Sequence, residues 1–245
     1  MNLFHKPRRL VWFSCGAASA VAAKLTIDSI PDEEVEVLYC DTLAFEHPDN
    51  LRFISDVEKW IGLPVKILKS RKYSDIFDVF RKTRFLVGFH GAPCTNLLKR
   101  QVRLEYQDSD DTHVFGLTFD EGKRIERFEQ DNPELWLNWI LRDQKVTKQD
   151  CYKIVQEAGI ELPAMYRLGY NNNNCVGCVK GGMGYWNKIR VDFPEAVNRM
   201  AKMEREIGYR MNRHFLDEMP ADAGRHEVED IECGVLCVKP ESQHL

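Results

Sequence analysis

Hydrophobic positions along this chain fall into short apolar runs that alternate with stretches spaced for helices. Leu10–Phe13, Val35–Cys40, Val65–Leu68 and Val114–Leu117 are runs of strand length, and a run without strict alternation marks a strand buried on both faces. Helical patterns separate them over Ala17–Ile30, Ser74–Phe80 and Thr95–Tyr106. Another begins near Pro48-Asp49 and sets Leu51, Ile54, Val57 and Ile61 on one face at three- and four-residue spacing. Strand, helix, strand, repeated, predicts an α/β fold with a parallel sheet and helices on both faces. Ligands in such folds collect at the carboxyl ends of the strands.

A further helix is signalled over Thr147–Ala158, where Thr147 and Asp150 form a capping box and Gly159 supplies the stop. From about Tyr166 the pattern changes. Asn171–Asn174, the Cys175-x-x-Cys178 pair and Gly181-Gly182-Met183-Gly184 follow in quick succession and read as loop. A last long helix is expected from Pro194 to about Met211, burying Val197, Met200, Ile207 and the aliphatic stem of Glu204. These signals divide the chain into residues 1–165, the α/β part, and residues 166–245, a cysteine-containing loop, helix and tail.

At 245 residues, 44% hydrophobic and 29% charged, the composition is that of a globular chain and excludes disordered and fibrous classes. Thirty-four Lys and Arg against 38 Asp and Glu leave a net charge of −4. The chain as a whole therefore lacks the basic footprint of a protein that grips nucleic acid by neutralising phosphates, and leaves room only for a local basic patch. His5-Lys6-Pro7-Arg8-Arg9 before the uncharged Leu10–Ala23 mimics a signal peptide, but Ser14-Cys15-Gly16 and Ser19 interrupt the run, and its 14 residues fall short of a bilayer span. The expectation is a soluble, cytoplasmic protein without a membrane partner. In a reduced compartment eight cysteines point to metal or redox chemistry more than to disulfides.

Ser14-Cys15-Gly16-Ala17-Ala18-Ser19 sits where the first strand turns into a helix. Small residues there let backbone N–H groups face an anion, and the helix start adds its positive end; the same composition also serves a purely steric turn. The second strand ends in Cys40-Asp41-Thr42, where Asp41 is placed to hold a ribose or a metal, or to serve as a turn or cap. A helix capped near Thr95 would project Lys99, Arg100 and Arg103, with Lys99 and Arg103 on one side, toward phosphate or sulfate or simply into solvent. Gly116 through Arg124 puts further charges just past a strand end.

The two-residue gap between Cys175 and Cys178 lets both thiolates reach one metal. Cys151 shares a helix face with Ile154, Val155 and Ala158 and reads as core, and Cys15 and Cys40 read as strand-end packing. Two metal sets follow. Cys175, Cys178, Cys233 and Cys237 would close a structural zinc site; Cys94, Cys175 and Cys178 would hold an iron–sulfur cluster, with a fourth ligand from the tail, such as Cys237, or an open position.

Taken in order, the serine-bracketed loop, D-T followed by E-H-P-D-N, C-T-N-L-L-K-R, G-L-T-F-D-E-G-K-R, W-I-L-R-D, L-P-A-M-Y-R-L-G-Y and C-V-G-C-V-K-G-G resemble a known family over about residues 8–195. It is the phosphoadenosine phosphosulfate (PAPS) reductase-like branch of the PP-loop, or adenine nucleotide alpha-hydrolase, superfamily. The resemblance implies a Rossmann-like sheet with an adenine nucleotide, ATP or adenosine phosphosulfate, held by Ser14, Cys15, Gly16, Ala17 and Ser19 with Asp41, Thr42 and Gly116. In adenylylsulfate-reducing members it implies a four-iron cluster. Glu232-Cys233-Gly234 is similar to the E-C-G tail that carries the reactive cysteine of sulfonucleotide reductases. The chain departs from the family in three places. Cys15 and Ala18 stand where the pattern S-G-G-x-D-S has glycine and acid, the first cysteine pair is reduced to Cys94-Thr95, and the tail has Val235-Leu236-Cys237 where a histidine is usual.

Three functions follow. In the first, Cys233 attacks the sulfur of an adenosine phosphosulfate, Lys99, Arg103, Arg124 and Lys180 offset the anionic charge, and an external thiol, such as a thioredoxin-like reductant, releases sulfite. In the second, ATP activates a nucleic-acid base or other oxygen, and the cluster delivers sulfur. In the third, the chain is a non-catalytic nucleotide-binding module stabilised by zinc. Nucleic acid is a partner only under the second reading, and a homodimer stays open.

Overall fold

In the computed structural model, residues 8–31, 34–89, 91–225, 231 and 233 are described. The chain runs β1 (Arg9–Trp12), α1 (Ala17–Ser29), β2 (Val35–Cys40), α2 (Asn50–Ile61), β3 (Val65–Leu68), α3 (Ile76–Thr83), α4 (Pro93–Thr95), a π-helical stretch (Asn96–Arg100) and α5 (Gln101–Tyr106). It continues through β4 (Thr112–Phe115), α6 (Gly122–Asp131), β5 (Trp136–Asn138), α7 (Ile140–Asp143), α8 (Lys148–Glu157), α9 (Ala164–Arg167), α10 (Met183–Asp192) and α11 (Pro194–Ile207). Two compact units result. The first comprises Met1–Cys40, Pro48–Leu68 and Leu104–Ala164; the second comprises Asp41–His47, Lys69–Arg103 and Met165–Leu245.

The first unit is a five-stranded parallel sheet of order β3-β2-β1-β4-β5 with flanking helices, a Rossmann-like α/β arrangement. Leu10, Val11, Val37, Leu38 and Val114 are at most 1% exposed. Because successive side chains point to opposite faces, both faces of these strands are covered. β1 pairs with β2 on one side and β4 on the other, Trp12 lying opposite Leu38 and Phe115. The strand order therefore reverses between β1 and β4, and the crevice beyond their carboxyl ends is the topological switch point at which such sheets bind ligands.

The second unit is built on a core of α3, α10 and α11, in which Val79, Phe80, Trp186 and Ile189 are fully buried. Glu204 was expected to bury only its stem. The whole side chain is buried, and its carboxylate accepts hydrogen bonds from Met211 N (2.9 Å) and Leu216 N (2.7 Å). α11 ends at Ile207, short of the expected Met211, because Gly208 closes it as C-cap. The stretch read as loop from Gly181 becomes helix at Met183. The expected helix over Thr95–Tyr106 is interrupted by the π-helical turn, whose wider pitch alters which side chains share a face. The helix at Lys148–Glu157 carries the expected Thr147–Asp150 capping box. Among the described residues no helix is long and apolar enough to cross a membrane.

Candidate functional site

The first unit places the serine-bracketed turn at the switch point, between β1 and α1. Ser14 N donates to Ser19 Oγ (3.1 Å), the two hydroxyls lie 3.2 Å apart, and Ser19 Oγ donates to the Gly16 carbonyl (2.9 Å), so the serines close the turn on itself. Gly16 is the N-cap of α1 in extended conformation and offers no side-chain cap. The amides of the first helical turn thus lack a capping side chain, which is the arrangement that receives an anion. Cys15, where the family pattern has glycine, adopts φ +59°, with its side chain fully buried and its thiol donating to the Asn50 carbonyl at 3.7 Å. This left-handed conformation costs a non-glycine residue about 1–2 kcal/mol. Gly116, just past β4, abuts the same turn: a Cβ there would stand 2.6 Å from Ser19 Cα and N. Arg124, also in this unit, pairs with Glu121 at 2.6 Å.

The second unit gathers the thiols. Cys94, Cys175, Cys178 and Cys233 line one pocket together with Thr42, Thr95, Lys99 and Lys180. They come from three separated segments. Cys94 lies on α4, Cys233 belongs to the tail, and Cys175 and Cys178 bracket a loop that Tyr185 of α10 braces. The Tyr185 hydroxyl accepts from Gly177 N (3.2 Å) and Cys178 N (3.0 Å). Gly177 has φ +77°, and a Cβ there would meet the Trp186 ring at 2.9 Å, so the loop folds tightly over α10. None of the seven described cysteines is in a disulfide.

The thiols differ electrostatically. Burial pushes Cys94 up to about 12, with the neighbouring Cys233 adding to the shift. Burial likewise holds Cys175 well above the ordinary thiol range, with Glu46 contributing. Cys178 donates its S–H to Cys233, which raises Cys178 and lowers Cys233; the cations Lys99 and Lys180 lower Cys233 further. Lys99 Nζ and Thr95 Oγ1 each lie 3.8 Å from Cys233 Sγ. Cys233 is thus the thiol of the group held below its ordinary value.

Of the other anticipated residues, Thr42 donates to Glu46 at 2.6 Å and lines the thiol pocket. Asp41 makes a turn, accepting from Leu43 N, and pairs with Lys69 at 3.4 Å. Lys99 lines the pocket, whereas Arg103, expected on the same side toward an anion or solvent, is fully buried. The π-helical turn at Asn96–Arg100 separates the two faces. Cys151 is fully buried in α8, as its spacing indicated. Cys237 lies outside the described residues. Tyr185 went unread in the sequence; its position seven residues after Cys178, on a helix with Trp186 and Ile189, was the available signal.

No protein-family model and no curated protein sequence matches the chain. Among solved structures, it is similar to the U34-tRNA thiolase NcsA from Methanococcus maripaludis with its [4Fe-4S] cluster, at 13% identity and a TM-score of 0.45, over 96% of this chain and 81% of that one.

Proposed function

We propose that the chain is a PP-loop enzyme that activates a carbonyl oxygen with ATP and replaces it with sulfur. The observation that supports this most is the pocket of four thiols from three segments, faced by two lysines. Cys94, Cys175, Cys178 and Cys233 offer four soft sulfurs around one pocket, the donor set that an iron–sulfur cluster takes. Cys94, Cys175 and Cys178 would hold a [4Fe–4S] cluster, with Cys233 as the tail ligand. When bound, such a cluster supplies soft iron with affinity for sulfur.

In the first step the acceptor's carbonyl oxygen attacks the α-phosphorus of ATP and pyrophosphate leaves. Uncapped amides at the Ser14–Ser19 turn hold phosphate oxygens there. In the second step hydrosulfide forms a bond to the acceptor carbon, AMP departs with the oxygen, and a proton is released; neither step changes an oxidation state. Lys99 and Lys180 favour anionic sulfur in the pocket. Anaerobic purification with iron and sulfide analysis tests this. About four of each per chain, lost in Cys94→Ser and Cys178→Ser but kept in Cys151→Ser, is expected, together with pyrophosphate release that requires both an acceptor and ATP. One zinc and no iron would overturn it.

A second reading is favoured by the lysine and hydroxyl that face Cys233 Sγ at 3.8 Å and by the lowering of that thiol. Cys233 would attack the sulfur of an adenosine phosphosulfate, displacing AMP, and a thioredoxin-like dithiol would then release sulfite and become a disulfide. Nucleotide-dependent sulfite release abolished by Cys233→Ser selects it.

A further inference from the structure

The chain that follows α11 is laid along α10 by contacts to its backbone. Arg190 Nη2 donates to the Leu216 carbonyl at 2.9 Å, and Asn187 Nδ2 donates to the carbonyls of Pro220 (3.0 Å) and Ala223 (2.8 Å). Gly184 has no room for a side chain against the Arg225 carbonyl. Positions 190, 187 and 184 succeed one another along the helix at three-residue spacing. The returning chain from 216 to 225 therefore runs antiparallel to α10, toward the loop that carries Cys175 and Cys178.

A different hold acts next to Cys233. Ile231 is 7% exposed, and it shares a hollow with Met165, Tyr170 and Tyr185. Its carbonyl accepts two hydrogen bonds, from Asn174 Nδ2 at 2.7 Å and from Asn172 Nδ2 at 3.3 Å. Both lone pairs of that oxygen are thereby used. Asn174 directly precedes Cys175, and the Tyr185 hydroxyl holds the Gly177 and Cys178 amides. One short stretch, 172–178, thus carries two of the thiols and the two amides that grip the segment bearing another. Cys233 stands two residues beyond Ile231, and two residues of chain reach at most about 7 Å. Fixing the Ile231 carbonyl therefore limits where the Cys233 sulfur can go. Residue type matters here. Asp in either place would set a carboxylate against a carbonyl, and Lys would add a charge beside the thiols; a neutral donor on a short arm avoids both.

We propose that Asn172 and Asn174 are positioning residues that register Cys233 in the thiol pocket, acting through the Ile231 carbonyl. The inference rests on the proposed function only for what Cys233 does once it is placed.

The test is the rate at which a polymer-linked maleimide, too bulky for the pocket, labels Cys233 in the full-length chain, reduced and treated with a chelator, with the site located by peptide mapping. Such a reagent meets the sulfur when the tail lifts, so the rate follows the opening equilibrium. Asn174→Leu and Asn174→Asp keep the shape of the side chain and remove the donor. Each is expected to speed labelling of Cys233 about fivefold, the factor that one ordinary hydrogen bond is worth, and Asn172→Leu/Asn174→Leu about thirtyfold. Asn174→Gln keeps the amide on a slightly longer arm and is expected to recover most of the protection. Cys151, fully buried in α8, reports any general loosening of the fold and is expected to stay unlabelled in every variant. Labelling of Cys233 at the wild-type rate in the Leu and Asp variants, no recovery in Asn174→Gln, or a matching rise at Cys151 would each overturn the proposal. Faster labelling in the variants of a chain whose wild type neither binds iron nor releases pyrophosphate would sink the sulfur-transfer reading and leave the clamp standing. Iron binding and pyrophosphate release in the wild type, with labelling unmoved in the variants, does the reverse.

Discussion

Replacing Gly116 by Ala probes the join between the sheet and the Ser14–Ser19 turn, where the proposed function places the phosphates of ATP. The added methyl would stand 2.6 Å from both Ser19 Cα and Ser19 N and 2.9 Å from Ser19 Cβ. Ordinary contact begins near 3.4 Å, so either the start of α1 or the end of β4 must yield by about 0.8 Å, in a region where Ala17 and Ala20 are fully buried and leave no slack. Overpacking of this kind costs about 1–3 kcal/mol. For a chain of this length that corresponds to a fall in Tm of about 2–4 °C for each kcal/mol. Because the backbone that moves is the turn itself, ATP binding measured by calorimetry is expected to weaken along with stability. Gly122→Ala is the control. Its Cβ meets nothing within 4 Å and its φ of −50° is helical, so it is expected to be neutral or to stabilise by about 0.4–1 kcal/mol. If Gly116→Ala melts with the wild type and binds ATP equally well, the close approach of β4 to the turn does not constrain the site and the reasoning fails.

Two further predictions concern carboxylates, Glu204 buried and Glu36 half-buried. Glu204→Gln leaves one oxygen to serve two amides and turns an NH₂ toward the other, at Met211 or Leu216. A loss of about 1–3 kcal/mol in urea unfolding is expected, and an unchanged midpoint would show that the 211–216 segment is held by other contacts. Burial alone would raise the Glu36 carboxyl. Hydrogen bonds from Tyr106 and Lys66 and the charges of Lys66 and Arg8 outweigh it and hold the group below its ordinary value. A lowered carboxyl contributes stability in full above about pH 4.3, its unfolded value, and loses it as pH falls through the folded value. The Tm gap between wild type and Glu36→Gln should therefore be widest near neutrality and shrink in acid; a gap independent of pH between 3 and 7 would rule out the ionised pairing.

Much of the sheet was legible because its strands are apolar runs and several of its helices are amphipathic. β5 escaped notice for a physical reason. It is a three-residue edge strand with Trp136 66% exposed, so it has neither an apolar run nor an alternation to display. α10 begins among glycines, and its buried Tyr185, Trp186 and Ile189 are too few to outweigh them. Spacing alone marked Cys175 and Cys178 as a pair, but the company they keep depends on chain separations of 81 residues back to Cys94 and 55 forward to Cys233, which no local pattern encodes. Local chemistry thus proposes candidate groups, and only the fold decides which are brought together. Lys99 and Arg103, four residues apart on what reads as one helix, show this directly: the π-helical turn sends one to the thiols and buries the other.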